Sequence, residues 1–210
     1  MLIYLHGFAS GPGSTKAQFF RARLAERGVD LTIPDLAPDF TRQTISHQLA
    51  LVESLLGDEP AVLFGSSLGG YLAALAAARR PEAVRGLVLF APAFGFARRW
   101  EDRLGPDAVA RWRRDGEMPV FHYGVGRELP LAITLLDDAH RHAEEPDPPC
   151  PALVLAGRHD DAVPLAAVEH FAAGRPEREL VVYDAGHELT EVLEPMWERT
   201  RAFVAGLGML

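Results

Sequence analysis

The sequence predicts an α/β fold: one domain with a mostly parallel six-stranded sheet, helices on both faces and a small helical cap insertion. Short apolar runs alternate along the chain with stretches of helical spacing. Continuous apolar runs are typical of parallel strands that are buried on both faces. The strands are predicted at Leu2–Leu5, Val29–Ile33, Ala61–Phe64, Gly86–Phe90, Ala152–Ala156 and Leu180–Tyr183. The helices between them are predicted at about Thr15–Arg27, Arg42–Leu56, Gly70–Arg80, Leu165–Ala173 and Thr190–Leu207.

Size and composition describe a packed globular protein. The 210 residues suit a single domain with a sizeable core, and 48% of them are apolar. The formal net charge of −8 argues against a nucleic-acid partner, which would need a basic face. Cys150 is the only cysteine, which excludes an intrachain disulfide and suits a reducing compartment. No apolar run has the length of a membrane span, so we expect a cytoplasmic protein whose oligomeric state stays open.

Residues 92–149 interrupt the alternation of strands and helices. We expect no core strand there, but two helical stretches at about Ala97–Asp115 and Leu129–Ala143, followed by a proline-rich loop. This segment is predicted to be a cap over the sheet. Its many arginines, among them Arg99, are expected to form a solvated helix face because acidic residues lie between them; the less favoured alternative is that one or two of them contact an anionic substrate. Its aromatic residues could wall a substrate pocket, and the predicted pocket residues are Phe94, Phe96 and Trp100.

Residues 65–69 form a G-x-S-x-G motif with Ser67 at its centre. The motif follows a predicted strand and precedes a predicted helix, which is the context of a nucleophile elbow. The sharp turn holds the serine in a strained conformation, and the flanking glycines remove side chains that would collide there. We therefore predict Ser67 as the nucleophile, and Ser66 is a poor alternative because it lies off the central position.

Two loops later in the chain supply a candidate base and a candidate acid. His187 follows the last predicted strand, and Asp160 follows the strand before it. A carboxylate can accept the imidazole N–H and stabilise the imidazolium, and the chain order Ser, Asp, His is that of the elbow-containing hydrolases. Asp161 is chemically equivalent to its neighbour, although it could instead cap a helix that begins near Leu165.

The first strand ends in His6-Gly7-Phe8, which suggests an oxyanion hole. A tetrahedral intermediate needs two fixed N–H donors, and we predict the backbone amides of Phe8 and Leu68 for this role. His6 is expected to tie down the loop. His140 and His142 lie two residues apart, which on a helix points them in different directions, so we expect a solvated face there. No metal or cofactor is predicted.

Together these motifs resemble those of the α/β-hydrolases. The opening segment from Leu5 to Pro12, with Ser14, Lys16 and Ala17, is more closely similar to small bacterial esterases of the YqiA/YcfP type. The resemblance implies a triad of Ser67, Asp160 and His187, with Phe8 and Leu68 as oxyanion donors. It also implies that two outer strands of larger relatives are missing.

The motifs predict a serine hydrolase that cleaves carboxylic esters of small or short-acyl substrates through an acyl-enzyme on Ser67. The partner is then a small-molecule ester. A thioesterase, or an acyltransferase or carbon–carbon hydrolase with the same triad, would use the same residues. A ligand-binding protein without turnover is a further alternative, because a fold does not fix a function.

Overall fold

The structure, a computed structural model, describes residues 1–210. Its strands are β1 (Leu2–Leu5), β2 (Leu31–Thr32), β3 (Ala61–Ser66), β4 (Val84–Phe90), β5 (Glu117–His122), β6 (Arg127–Ala132), β7 (Ala152–Gly157) and β8 (Arg178–Tyr183). Its helices are α1 (Thr15–Ala25), α2 (Ile45–Leu55), α3 (Leu68–Arg79), α4 (Phe96–Leu104), α5 (Pro106–Asp115), α6 (Thr134–Ala139), α7 (Leu165–Ala173) and α8 (Leu193–Gly206). Two 3₁₀ turns lie at Phe40–Arg42 and Thr190–Val192. Every helix is too short or too polar to cross a lipid bilayer.

The main sheet has six strands in the order β2-β1-β3-β4-β7-β8, and every neighbouring pair is parallel. This confirms the predicted six-stranded sheet. Because the strands are parallel, the loops that follow β1, β3, β7 and β8 all leave from one edge. In such sheets ligands bind beyond that carboxyl edge, so a functional site is expected among these four loops.

Helices cover both faces of the sheet and divide the core into two layers. Along β1, Leu2 and Tyr4 join the layer with α1 and α8, whereas Ile3 and Leu5 join the layer with α2, α3 and α7. This alternation is the period of two that places successive strand residues on opposite faces. Helix α3 is buried from Leu68 to Ala77, which fits its position at the centre of the molecule.

The inserted segment differs from its prediction in two respects. A two-stranded antiparallel hairpin, β5–β6, lies where the second helical stretch was expected to begin at Leu129. Helix α6 starts only at Thr134, because residues 127–132 pair with β5 instead. In the structure, exposed and covered residues alternate along β5, which is typical of a strand with one solvent face. The first stretch is also two helices, broken at Gly105, whose φ is +75°.

Candidate active site

The loops at the carboxyl edge bring Ser67, His187 and Asp160 together. Ser67 lies between β3 and α3, Asp160 follows β7 and His187 follows β8. The Oγ of Ser67 is 3.1 Å from Nε2 of His187, and Nδ1 of that ring is 2.8 Å from Oδ2 of Asp160. All three predicted residues therefore stand within hydrogen-bond distance in one chain.

The backbone at Ser67 is strained. Its φ of +51° and ψ of −114° lie in a region that residues with a side chain rarely adopt. The turn is tight enough that a Cβ at Gly65 would overlap the carbonyl of Gly69, and a Cβ at Gly69 would overlap the carbonyl of Leu5. Both glycines of the motif are thus required by the close approach of α3 to the sheet.

Gly69→Ala should destabilise the protein, because the added methyl group meets backbone rather than a movable side chain. Overpacking of this kind costs about 1–3 kcal/mol, measurable as a lower midpoint of urea unfolding. Gly57→Ala is the matched control, since a Cβ there has nothing within 4 Å, and it should change the free energy of unfolding by about 0.5 kcal/mol or less. Equal midpoints for the two variants would contradict the steric argument.

Asp160 is held as a carboxylate by its surroundings. Its side chain is 3% exposed, and its Oδ1 accepts hydrogen bonds from the amides of Ala162 (2.8 Å) and Val163 (2.7 Å). Burial pushes the pKa of Asp160 upward, but hydrogen bonds from His187 and Val163 outweigh it and leave the pKa below its ordinary value. The carboxylate can therefore orient the imidazole and balance its positive charge.

Asp161, the chemically equivalent neighbour, points elsewhere. Its side chain makes no hydrogen bond to His187, and the residue is exposed. The alternative role as a helix cap is also unfilled, because α7 has no side-chain cap. Its backbone carbonyl accepts a hydrogen bond from Arg103 at 2.8 Å.

The backbone amides of Phe8 and Leu68 are free to act as donors. Neither amide donates to a protein acceptor, and Leu68 opens α3, where the first turn leaves N–H groups unpaired. His6 anchors the loop that carries Phe8, because its Nε2 accepts a 3.0 Å hydrogen bond from the amide of Leu36. Burial lowers the pKa of His6, which favours the neutral ring that this acceptor role needs.

A cleft of about 1560 Å³ opens above Ser67. Phe8, Phe96 and Trp100 line it, and the ring of Trp100 meets that of Phe8 edge-on with centroids 5.0 Å apart. The prediction that Phe94 also lines the pocket is wrong. Its ring is buried and stacks on Phe171 with centroids 4.4 Å apart, so it packs the insertion against α7.

Three cations that the sequence did not single out line the cleft: Lys16, Arg99 and Arg103. Lys16 is buried, and the only available signal was its position in the opening segment beside the predicted oxyanion loop. Arg99 was expected on a solvated face, but it is half-buried and donates to the carbonyls of Phe94 (2.7 Å) and Ala162 (2.6 Å). Nothing in the spacing of the arginines distinguishes it from its exposed neighbours.

The two histidines that follow α6, His140 and His142, have different surroundings. His140 is on the surface, 3.2 Å from Glu101, as expected for a solvated face. The same expectation is wrong for His142, whose side chain is only 3% exposed and lies 3.0 Å from the hydroxyl of Ser46. Asp138 bonds that serine as well and joins α6 to the start of α2. No three His, Cys, Asp or Glu side chains group as metal ligands would.

Comparison with known sequences places the chain in a family. The model described as "Uncharacterised protein family (UPF0227)", a family of the YqiA/YcfP type, matches residues 1–204. Two uncharacterized proteins of Mycobacterium tuberculosis are 32% identical to the chain over 151 residues. That match covers 70% of this chain but 45% of each relative, so the chain spans about half the length of these curated relatives.

Comparison with solved structures concerns the fold. Alpha/beta hydrolase domain-containing protein 10 from mouse superposes with a TM-score of 0.83 at 20% identity, covering 98% of this chain and 90% of its own. Est1E from Butyrivibrio proteoclasticus, solved with ferulic acid bound, superposes with a TM-score of 0.74 at 20% identity, covering 98% and 88%. At these identities the likeness establishes the shared architecture. The chain therefore belongs to the UPF0227 family and has the α/β-hydrolase fold.

Proposed function

We propose that the protein is a serine hydrolase that cleaves carboxylic esters of small or short-acyl substrates through an acyl-enzyme on Ser67. The observation that carries this proposal is the hydrogen-bonded chain from the hydroxyl of Ser67 through His187 to Asp160, placed at the floor of a cleft. A nucleophile in contact with a base, which is itself oriented by a third group, is the arrangement that acyl transfer requires.

In the first half-reaction, Nε2 of His187 takes the proton from Oγ of Ser67 as that oxygen bonds to the ester carbonyl carbon. The carbonyl oxygen then carries the negative charge, and the amides of Phe8 and Leu68 stabilise it. Because Asp160 holds Nδ1, the ring keeps the tautomer that leaves Nε2 free to accept. The intermediate collapses when the bond to the alcohol oxygen breaks and the imidazolium gives that oxygen its proton.

In the second half-reaction, water replaces the alcohol. His187 takes a proton from the water as its oxygen attacks the acyl carbon, and the same two amides receive the charge again. The bond to Oγ then breaks, the carboxylic acid leaves, and the proton returns to Ser67. Atoms and protons balance without a cofactor, so none enters the proposal.

We propose that aromatic side chains next to the reaction centre limit the size of the acyl group. Phe8 carries a proposed oxyanion amide. Its ring packs against Trp100, and its ring centroid lies 6.3 Å from that of Phe96. Aromatic side chains therefore lie directly beside the proposed reaction centre. The bound ferulic acid in Est1E shows that a small acid can occupy this fold. We also propose that residues 92–149, which contribute Phe96 and Trp100, form a cap that sets the substrate range.

The direct test of the function is turnover of p-nitrophenyl acetate, butyrate and octanoate beside matched thioesters. We expect hydrolysis of the short oxygen esters with a burst of p-nitrophenol equal to the enzyme concentration, because an acyl-enzyme accumulates when deacylation is slower. Higher kcat/KM for the thioesters would favour a thioesterase, and acyl transfer to added alcohol would favour an acyltransferase. Binding of esters without turnover of any of them would contradict the proposal.

Trp100→Ala should change the chain-length preference. Removal of the indole enlarges the cleft beside Phe8, so the octanoate-to-acetate ratio of kcat/KM should rise by about tenfold, since a pocket distinguishes single methylene groups by about 10–200-fold. Phe94→Leu is the control, because Phe94 packs on Phe171 outside the cleft and should affect stability alone. An equal loss of kcat/KM on all three esters would show that Trp100 supports the structure and does not contact the acyl group.

A further inference from the structure

Lys16 is the only lysine of the chain and is almost completely buried. It lies in the first turn of α1 and is 7% exposed, yet it lines the cleft that contains Ser67. Its ammonium donates a hydrogen bond to the backbone carbonyl of Glu188, the residue that follows His187. A buried ammonium is costly unless it is paired, so this contact accounts for where the side chain lies.

The contact supports a segment whose backbone has no other hydrogen bond. Apart from this bond, the backbone groups of His187 and Glu188 make no hydrogen bond to any protein group. The neighbouring bonds in the loop between β8 and α8 lie on either side. The carbonyl of Ala185 accepts from the amide of His159 and the amide of Gly186 donates to the carboxylate of Glu191, whereas the carbonyl of Leu189 accepts from Val192. Lys16 therefore makes the only hydrogen bond to the backbone of residues 187–188, the stretch that carries the imidazole.

The same side chain joins the two halves of the proposed site. Lys16 follows the loop between β1 and α1, which presents the amide of Phe8, whereas Glu188 belongs to the loop that presents His187. Three carboxylates, those of Glu188, Asp160 and Glu191, act electrostatically on the ammonium. Burial lowers the pKa of Lys16, and these three carboxylates oppose that shift by stabilising the charged form.

We propose that Lys16 is a positioning residue: its ammonium holds the backbone at residues 187–188 so that the imidazole lies between Ser67 and Asp160. This inference rests on the proposed function, because the position of His187 matters only if that ring moves protons. The expected consequence is a loss in kcat without a comparable loss of substrate binding, since an ester reaches the cleft whether or not the base is aligned.

The first test compares Lys16→Met with the parent protein on p-nitrophenyl acetate. Methionine fills similar space without a donor, so kcat should fall about ten- to a hundredfold, as expected for loss of one hydrogen bond from a charged group, while KM stays within about threefold. Lys16→Arg, which keeps a charged donor, should retain more activity than Lys16→Met. A loss confined to the KM of anionic esters, such as a succinate half-ester, would overturn the proposal in favour of direct substrate contact.

Chemical rescue distinguishes the effect of the ammonium group from the effect of side-chain volume at residue 16. In a Cys150→Ala background, Lys16→Cys provides the only thiol, because the chain has a single cysteine. Alkylation of that thiol with 2-bromoethylamine restores an ammonium at nearly the reach of lysine, whereas 1-bromopropane restores only the volume. The aminoethyl adduct should recover most of the lost kcat and the propyl adduct should not. Equal recovery with both reagents would overturn the proposal.

The position of the His187 ring can also be measured by NMR, which requires no ester turnover. In protein labelled with ¹⁵N-histidine, the hydrogen-bonded Nδ1–H signal of His187, assigned by its absence in His187→Ala, should persist in the parent and broaden or vanish in Lys16→Met. An unchanged signal in Lys16→Met would overturn the positioning role. If the parent hydrolyses no ester, the proposed function fails, and this signal still decides whether Lys16 holds the ring.

Discussion

Replacing Ser67 by alanine should lower kcat for ester hydrolysis by about 10⁶-fold, the loss seen when the nucleophile of a comparable triad is removed. The reason is that the acyl group is transferred to this hydroxyl in the first half-reaction and released from it in the second. The fold should remain, because Ser67 makes only one side-chain hydrogen bond, to His187. The measurement is kcat on p-nitrophenyl acetate together with the circular dichroism spectrum and melting temperature.

Ser66→Ala provides the matched control, since Ser66 is the adjacent residue at the end of β3. A fluorophosphonate probe should label Ser67 in the parent and in Ser66→Ala, and it should leave Ser67→Ala unlabelled. Mass mapping of the label on Ser66, or undiminished turnover by Ser67→Ala, would refute the assignment of the nucleophile.

Asp160→Asn should lower kcat by about 10⁴-fold, the cost of the same change in a Ser–His–Asp triad elsewhere. The asparagine amide lacks the negative charge that stabilises the imidazolium. Because the Asp160 side chain is only 3% exposed, water screens this interaction little and its loss has a large effect on kcat. It also weakens the acceptor for the amides of Ala162 and Val163, so some stability should be lost as well.

Asp161→Asn is the paired control, because it makes the same chemical change one residue away at an exposed position that does not contact His187. Its kcat should stay close to that of the parent. If Asp161→Asn proved the more damaging change in kcat, the acid would have been assigned to the wrong neighbour.

The sheet was predictable from sequence because parallel strands buried on both faces leave an unambiguous signal of continuous apolar residues. The predicted Leu2–Leu5 coincides with β1, and the predicted Ala61–Phe64 is two residues shorter than β3. The edge strand β2 was predicted too long, at Val29–Ile33. It pairs with β1 at two residues only, and pairing to a neighbour is information that the local sequence does not contain.

The residues around the site were less predictable because their roles come from tertiary contacts. The choice between Asp160 and Asp161 depends on loop geometry, which places the first of them 2.8 Å from His187. Phe94 and Phe96 are two residues apart and equally apolar, yet one packs on Phe171 while the other lines the cleft. Composition favours an aromatic pocket wall, but the path of the chain decides which ring takes part.

Two arginines of α4 bond this helix to the loop that supports Asp160. Arg99 and Arg103 donate to consecutive carbonyls, Ala162 and Asp161, in the loop whose amides hold Asp160. An outward swing of α4 would therefore pull on the support of that carboxylate and disturb the chain of hydrogen bonds at Ser67. We therefore propose that α4 keeps its position when a substrate binds, and that the fixed width of the cleft, rather than a movement of this helix, selects among substrates.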